Sequence, residues 1–134
     1  MKVDGACFCG QLTFEAEIDP ETVELCHCSD CQTISSSAFR IVVPAKPDSF
    51  RLLSGTPTVF VKTADSGNRR DLAFCPTCGT AIYSAPAGGA PGFFGLRAGT
   101  LRQRDQLQPR RQYWLRSSVA WLHDMPSLPG HETE

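Results

Sequence analysis

The chain has 134 residues, a mass of 14.6 kDa and a formal net charge of −1. That length favours one domain, and 41% hydrophobic residues exclude wholesale disorder and collagen-like repetition. No apolar run nears the roughly 20 residues of a membrane span. The start MKVDGACFCG has neither the basic nor the apolar region of a signal peptide, so a soluble cytoplasmic protein is the expectation. The near-neutral charge argues against a general nucleic-acid footprint, although the charge is unevenly placed. Lys2 stands against Asp4, Glu15, Glu17, Asp19, Glu21, Glu24 and Asp30, a local net of −6 over 1–31. Arg97, Arg102, Arg104, Arg110, Arg111 and Arg116 stand against Asp105, a local net of +5 over 97–116.

The predicted elements are strands. Leu12, Phe14, Ala16 and Ile18 alternate with Thr13, Glu15 and Glu17, the period of a half-buried strand. Next comes one helical turn, Ser29–Ser35, with Ser29 or Asp30 able to cap it. Short β-rich runs follow at Ala38–Val43, Ser49–Leu53, Thr58–Lys62, Leu72–Phe74, Thr80–Ser84, Phe93–Ala98, Gln112–Arg116 and Val119–Leu122. Turn chemistry separates several of them: Pro44–Pro47, Gly55-Thr56-Pro57, Asp65–Asn68 and the glycine-rich Ala85–Gly92. The pattern argues a mainly β domain of two small packed sheets over residues 3–124, followed by a loose polar tail at 125–134. Tyr113, Trp114 and Trp121 are expected in the core.

Cysteine is the anomaly. Seven occur, at 7, 9, 26, 28, 31, 75 and 78, an odd number that a complete intrachain disulfide framework cannot use. Cys75-Pro-Thr-Cys78-Gly79 has the form of a zinc knuckle at the tip of a hairpin, with a glycine free to adopt positive φ. A redox CxxC pair would instead open a helix, and Thr80-Ala-Ile-Tyr-Ser is not helical in pattern. Cys7-Phe-Cys9 offers a second pair, both sulfurs on one face of an extended segment. Joined to Cys75 and Cys78 it completes a closed four-thiolate shell. A pairing with the middle cluster is the alternative.

On the first pairing, Cys26-His-Cys28-Ser-Asp-Cys31 is left with three thiolates. Three protein ligands and a free position are the arrangement of a catalytic metal. The competing arrangement closes the site with His27 or His123, although extended backbone would turn His27 away from Cys26 and Cys28. Three thiolates on Zn²⁺ suit a soft fourth ligand, so a thiol substrate is the natural guest. Arg97 and Arg40 are the candidate donors to an anionic substrate, with His27 a lining residue. The remaining arginines read as a solvated face.

Three motifs carry a resemblance: Gly5-Ala-Cys-Phe-Cys-Gly-Gln-Leu-Thr-Phe14, Cys26-His-Cys-Ser-Asp-Cys-Gln32 and Phe74-Cys-Pro-Thr-Cys-Gly-Thr80. Together they resemble the glutathione-dependent formaldehyde-activating (GFA) family, which also includes centromere protein V. The resemblance spans residues 3 to about 122 and uses all seven cysteines. It implies an Mss4-like, zinc-bearing β fold with two zinc ions per chain. One is structural, on Cys7, Cys9, Cys75 and Cys78; the other is of catalytic type, on Cys26, Cys28 and Cys31. It also implies a carbon–sulfur lyase that joins a thiol such as glutathione to a small aldehyde such as formaldehyde. This chain is shorter than the enzyme that names the family, and no segment matches a glutathione pocket. The rival expectation is a non-catalytic zinc module that binds protein or nucleic acid through the face around Arg97–Arg116.

Overall fold

A computed structural model describes all residues, Met1–Glu134. The chain opens on a hairpin of β1 (Lys2–Ala6) and β2 (Thr13–Glu17), with Val3 opposite Ala16 and Gly5 opposite Phe14. Leu12, Phe14, Ala16 and Ile18 are all buried, as their alternation requires. β1 has no counterpart among the expected strands because its inward positions are Val3 and Gly5, and a glycine carries no apolar signal. The chain continues through β3 (Glu24–Cys26), the helix α1 (Ser29–Ser35), β4 (Arg40–Pro44) and β5 (Arg51–Ser54). It then forms β6 (Thr58–Thr63), β7 (Arg69–Phe74), β8 (Ala81–Pro86), β9 (Gly95–Arg97) and β10 (Arg111–Tyr113).

Two sheets result, one ordered β1-β2-β5 and one ordered β10-β3-β4-β9-β8-β7-β6. Every neighbouring pair is antiparallel except β10 with β3. A single apolar cluster joins the sheets, with Val3, Phe14 and Ala16 from the small one against Val43, Ile82 and Leu96 from the large one. This is the mainly β, two-sheet architecture the composition and periodicity imply. No helix is long and apolar enough to cross a membrane.

The large sheet has two unlike faces, and its register assigns residues to each. Val43, Leu96 and Tyr83 are successive cross-strand partners and belong to the core side. One residue along, Cys26 faces Arg40, and Val42 faces Arg97. Since directly opposed residues share a face, the register alone gathers cysteine and arginine on the side away from the core.

Three expectations fail near the C-terminus and one at the helix. Gln112–Arg116 does not stay a strand, because Trp114 takes φ +59° and ends β10 at Tyr113. Val119–Leu122 is not a strand either; Ala120–Ser127 winds as 3₁₀ turns, since β-formers gain little without an adjacent strand to pair with. Tyr113, Trp114 and Trp121 are 44%, 53% and 54% exposed rather than core, because they flank an edge strand and the turns after it. Neither Ser29 nor Asp30 caps α1; Cys28 does, its Sγ accepting the Cys31 N–H at 3.3 Å. All residues from Met125 to Glu134 are exposed.

Candidate metal centres and the adjoining cavity

Two hairpin tips meet to form the first cluster. Cys7 and Cys9 occupy the β1–β2 turn, where the Gly10 N–H bonds the Cys7 carbonyl at 3.0 Å. The segment is therefore a tight turn rather than extended, and Gly10 supplies φ +80°. Cys75 and Cys78 occupy the β7–β8 turn, where Gly79 has φ +74° and its N–H reaches the Cys75 carbonyl at 2.9 Å. All four sulfurs lie within 4.8 Å of one another. Cys7 is 3.5 Å from Cys9, and Cys9 is 3.7 Å from Cys75. A tetrahedral thiolate shell with bonds of ~2.3 Å needs sulfurs roughly 3.8 Å apart, so the set has the right dimensions to hold a metal ion.

The protein surrounds these sulfurs with donors. The Leu12 N–H reaches Cys7 Sγ at 3.2 Å, and the Thr80 hydroxyl lies 3.1 Å from Cys78 Sγ. Thr80 pulls the Cys78 thiol down to about 5, first through its hydroxyl and then through its backbone N–H. Thr80 also accepts the Phe8 N–H at 3.1 Å, and Thr77 donates to Gln11 Oε1 at 2.7 Å, so each turn holds the other.

The second cluster stands at the end of β3. Cys26 closes the strand, Cys28 caps α1 and Cys31 lies in its first turn; their sulfurs also lie within 4.8 Å of one another. No histidine, aspartate or glutamate joins them. Burial pushes the Cys31 thiol up to about 12, against the pull of the Arg40 guanidinium. The C-terminal segment braces this loop: the His27 N–H donates to the Tyr113 carbonyl at 3.0 Å, and Gln32 Nε2 donates to the Ser117 and His27 carbonyls at 2.9 and 2.7 Å.

Cys26 and Cys31 line a cavity of ≈ 200 Å³ on the outer face of the large sheet. Arg40, Arg70, Arg97 and Lys62 line it too, with Glu24, Asp30, Ser84 and Phe93. Strand register explains this gathering: Lys62 faces Arg70, Leu72 faces Ser84, and Ser84 faces Gly95, two residues from Arg97. Arg40 and Arg97 are each 8% exposed. Burial, then the Arg40 charge, draws Arg97 down to about 9. A larger cleft of ≈ 710 Å³ beside Arg69 and Pro86 contains no cysteine or histidine.

The expected site residues divide into two groups. Arg40 and Arg97 line one cavity with Cys26 and Cys31 of the three-thiol cluster. His27 does not, since its side chain lines a separate cleft with Leu25, Phe39 and His123. There its Nε2 meets Gln112 Oε1 at 2.8 Å, while Nδ1 is buried without a partner. The basic block disperses: Arg97 is internal, Arg102 pairs with Asp4 at 3.1 Å and Arg110 with Glu21 at 3.0 Å. Arg70, Lys62 and Phe93 were not singled out in the sequence. Arg70 had one usable signal, its period-2 relation to the buried Leu72.

Fold and site thus define a small, mainly β protein with a four-thiol and a three-thiol cluster, each suited to a metal ion. The chain belongs to the glutathione-dependent formaldehyde-activating enzyme family, whose model matches residues 2–117. Its fold is similar to that of a Rhodobacter sphaeroides protein, a structural genomics target solved as a crystal structure. The TM-score is 0.61 at 21% identity, over 81% of this chain and 98% of that one. No curated protein matches the chain.

Proposed function

We propose that this protein is a zinc-dependent carbon–sulfur lyase of the GFA type, joining a thiol such as glutathione to a small aldehyde such as formaldehyde, or reversing that reaction. Cys7, Cys9, Cys75 and Cys78 hold a structural zinc; Cys26, Cys28 and Cys31 hold a second one. The observation that carries this reading is the asymmetry between the clusters. Four sulfurs close one shell, whereas three sulfurs with no fourth histidine or carboxylate donor adjoin a cavity. When bound, the second ion supplies Lewis acidity to a soft fourth donor, the substrate sulfur.

The chain's own residues orient and enclose the reactants. Gln32 and the Tyr113 carbonyl fix the loop that carries the thiolates, and Arg40 offsets their negative charge. In the addition, the new C–S bond forms as the carbonyl π pair moves to oxygen. The proton that leaves the thiol ends on that oxygen.

The test is a metal count paired with an assay of thiol–formaldehyde adduct formation by NMR. Wild-type protein should carry two zinc ions per chain and accelerate adduct exchange. Cys28→Ser should carry one ion, keep a native circular-dichroism spectrum and lose the acceleration. Unchanged turnover in that variant, or its unfolding, overturns the reading.

A further inference from the structure

Arg40 and Arg97 are buried cations with no carboxylate partner. The chain's ion pairs join Arg51 to Glu15, Lys62 to Asp30, Arg102 to Asp4 and Arg110 to Glu21, and none involves Arg40, Arg70 or Arg97. Glu24, also in the cavity lining, pairs with none of the three. Arg97 Nε is fully enclosed and has no hydrogen-bond partner. Arg70 is held beside them, its Nη2 donating to Ser84 Oγ at 3.4 Å and its guanidinium 5.3 Å from the centre of the Phe93 ring. Buried charges in proteins are normally paired, and buried donors normally satisfied. Against three guanidinium groups on one wall the metal-loaded three-thiol cluster supplies a single negative charge, so the wall calls for a further anion that the chain itself does not supply.

We propose that Arg40, Arg70 and Arg97 form a carboxylate subsite that selects a mercapto acid, whose sulfur meets the three-thiol cluster while its carboxylate meets the arginines. The inference rests on the proposed lyase reading for the role of the sulfur; the anion subsite itself stands on the unpaired arginines. Guanidinium is the group that matches a carboxylate with two parallel N–H donors. Lys62 is already engaged by Asp30 at 2.6 Å and leaves the arginines as the free donors. A volume of ≈ 200 Å³ equals that of about seven liquid waters, enough for a molecule like 3-mercaptopropionate, and the open mouth lets a longer thiol extend outward. Gly95 keeps that space open, since a Cβ there would stand 2.9 Å from Val42 Cγ1 and 3.1 Å from Ser84 Oγ.

Two measurements separate this inference from the reading beneath it. The first titrates zinc-loaded protein with ethanesulfonate, an anion lacking a thiol, and follows arginine Nε–H signals by NMR. The Arg97 signal should shift saturably while those of Arg104 and Arg116 stay fixed. An unmoved Arg97 signal overturns the subsite whatever the metal does. The second compares 3-mercaptopropionate with neutral 2-mercaptoethanol by the thiolate-to-cobalt absorption of cobalt-substituted protein. The acid should bind at least tenfold more tightly, and Arg97→Met or Arg40→Met should reduce that ratio to near one. Arg97→Met removes a buried cation with an unsatisfied donor, so its melting temperature should hold or rise. Equal binding of the two thiols by wild type overturns the subsite and leaves the lyase reading intact. If neither thiol alters the cobalt spectrum, the lyase reading fails and the selection of a mercapto acid falls with it; the ethanesulfonate titration still decides the anion subsite.

Discussion

Arg40 lies directly opposite Cys26 across the antiparallel β3–β4 pair, so a cation and a thiol of the three-cysteine cluster share one face by register alone. Its charge also opposes the burial that raises the Cys31 thiol. Three thiolates on a divalent ion carry a net charge of −1, which a neighbouring guanidinium stabilises. Arg40→Met should therefore weaken metal retention at this cluster roughly three- to tenfold, equivalent to about 0.7–1.4 kcal/mol. Competition with a chromophoric chelator measures this. The four-thiol cluster, built from other strands, should release its ion as in wild type.

The two clusters should differ in what their loss does to the fold. Cys75 is 1% exposed and belongs to the apolar cluster between the sheets. Removing its sulfur unlinks two hairpin tips that the sequence separates by more than sixty residues. Metal binding of this kind is folding free energy. Cys75→Ser should lower the melting temperature far more than Cys31→Ser, and a chelator strong enough to strip both ions should unfold the wild type. Calorimetry with and without chelator checks both statements.

Acidity should control loading of the three-thiol cluster. Burial pushes the metal-free Cys31 thiol up to about 12, and burial likewise raises Cys26, so both hold protons at neutral pH. A metal must displace those protons, and affinity should climb with pH, up to tenfold per unit for each proton released. The linkage for the fold with this cluster empty has the opposite sign. A thiol whose folded value lies above its ordinary 9.0 stabilises the fold below that value, and this contribution is lost as pH rises from about 9 towards 12. Proton release on zinc addition in weak buffer, with melting curves between pH 8 and 11 of protein emptied at the three-thiol cluster alone, measures both effects.

Gly5 tests the contact between the hairpin and the rest of the core. It faces Phe14 in the β1–β2 pair, and a Cβ there would collide with the Phe14 ring and with the Thr100 carbonyl. Phe14 is fully buried and the carbonyl is backbone, so neither can give way cheaply. Gly5→Ala should cost about 1–3 kcal/mol, read from chemical denaturation. Gly99→Ala is the control, since its added methyl would meet nothing within 4 Å.

Sequence alone determined which groups of thiols this protein presents. Cysteine spacing defined the ligand groups, Gly79 marked a turn needing positive φ, and the alternation Leu12–Phe14–Ala16–Ile18 identified a core strand; each is a local property that periodicity and composition express directly. Tertiary structure decided which of those groups meet. The pairing of Cys7 and Cys9 with Cys75 and Cys78 depends on two hairpin tips coming together, and local spacing leaves that open. The gathering of Arg40, Arg70 and Arg97 beside Cys26 depends on the register of β3, β4, β9, β8 and β7, in which a one-residue slip would send each side chain to the other face. The exposed Trp114 and Trp121 followed the same logic, because whether an aromatic is covered depends on what lies beside its strand.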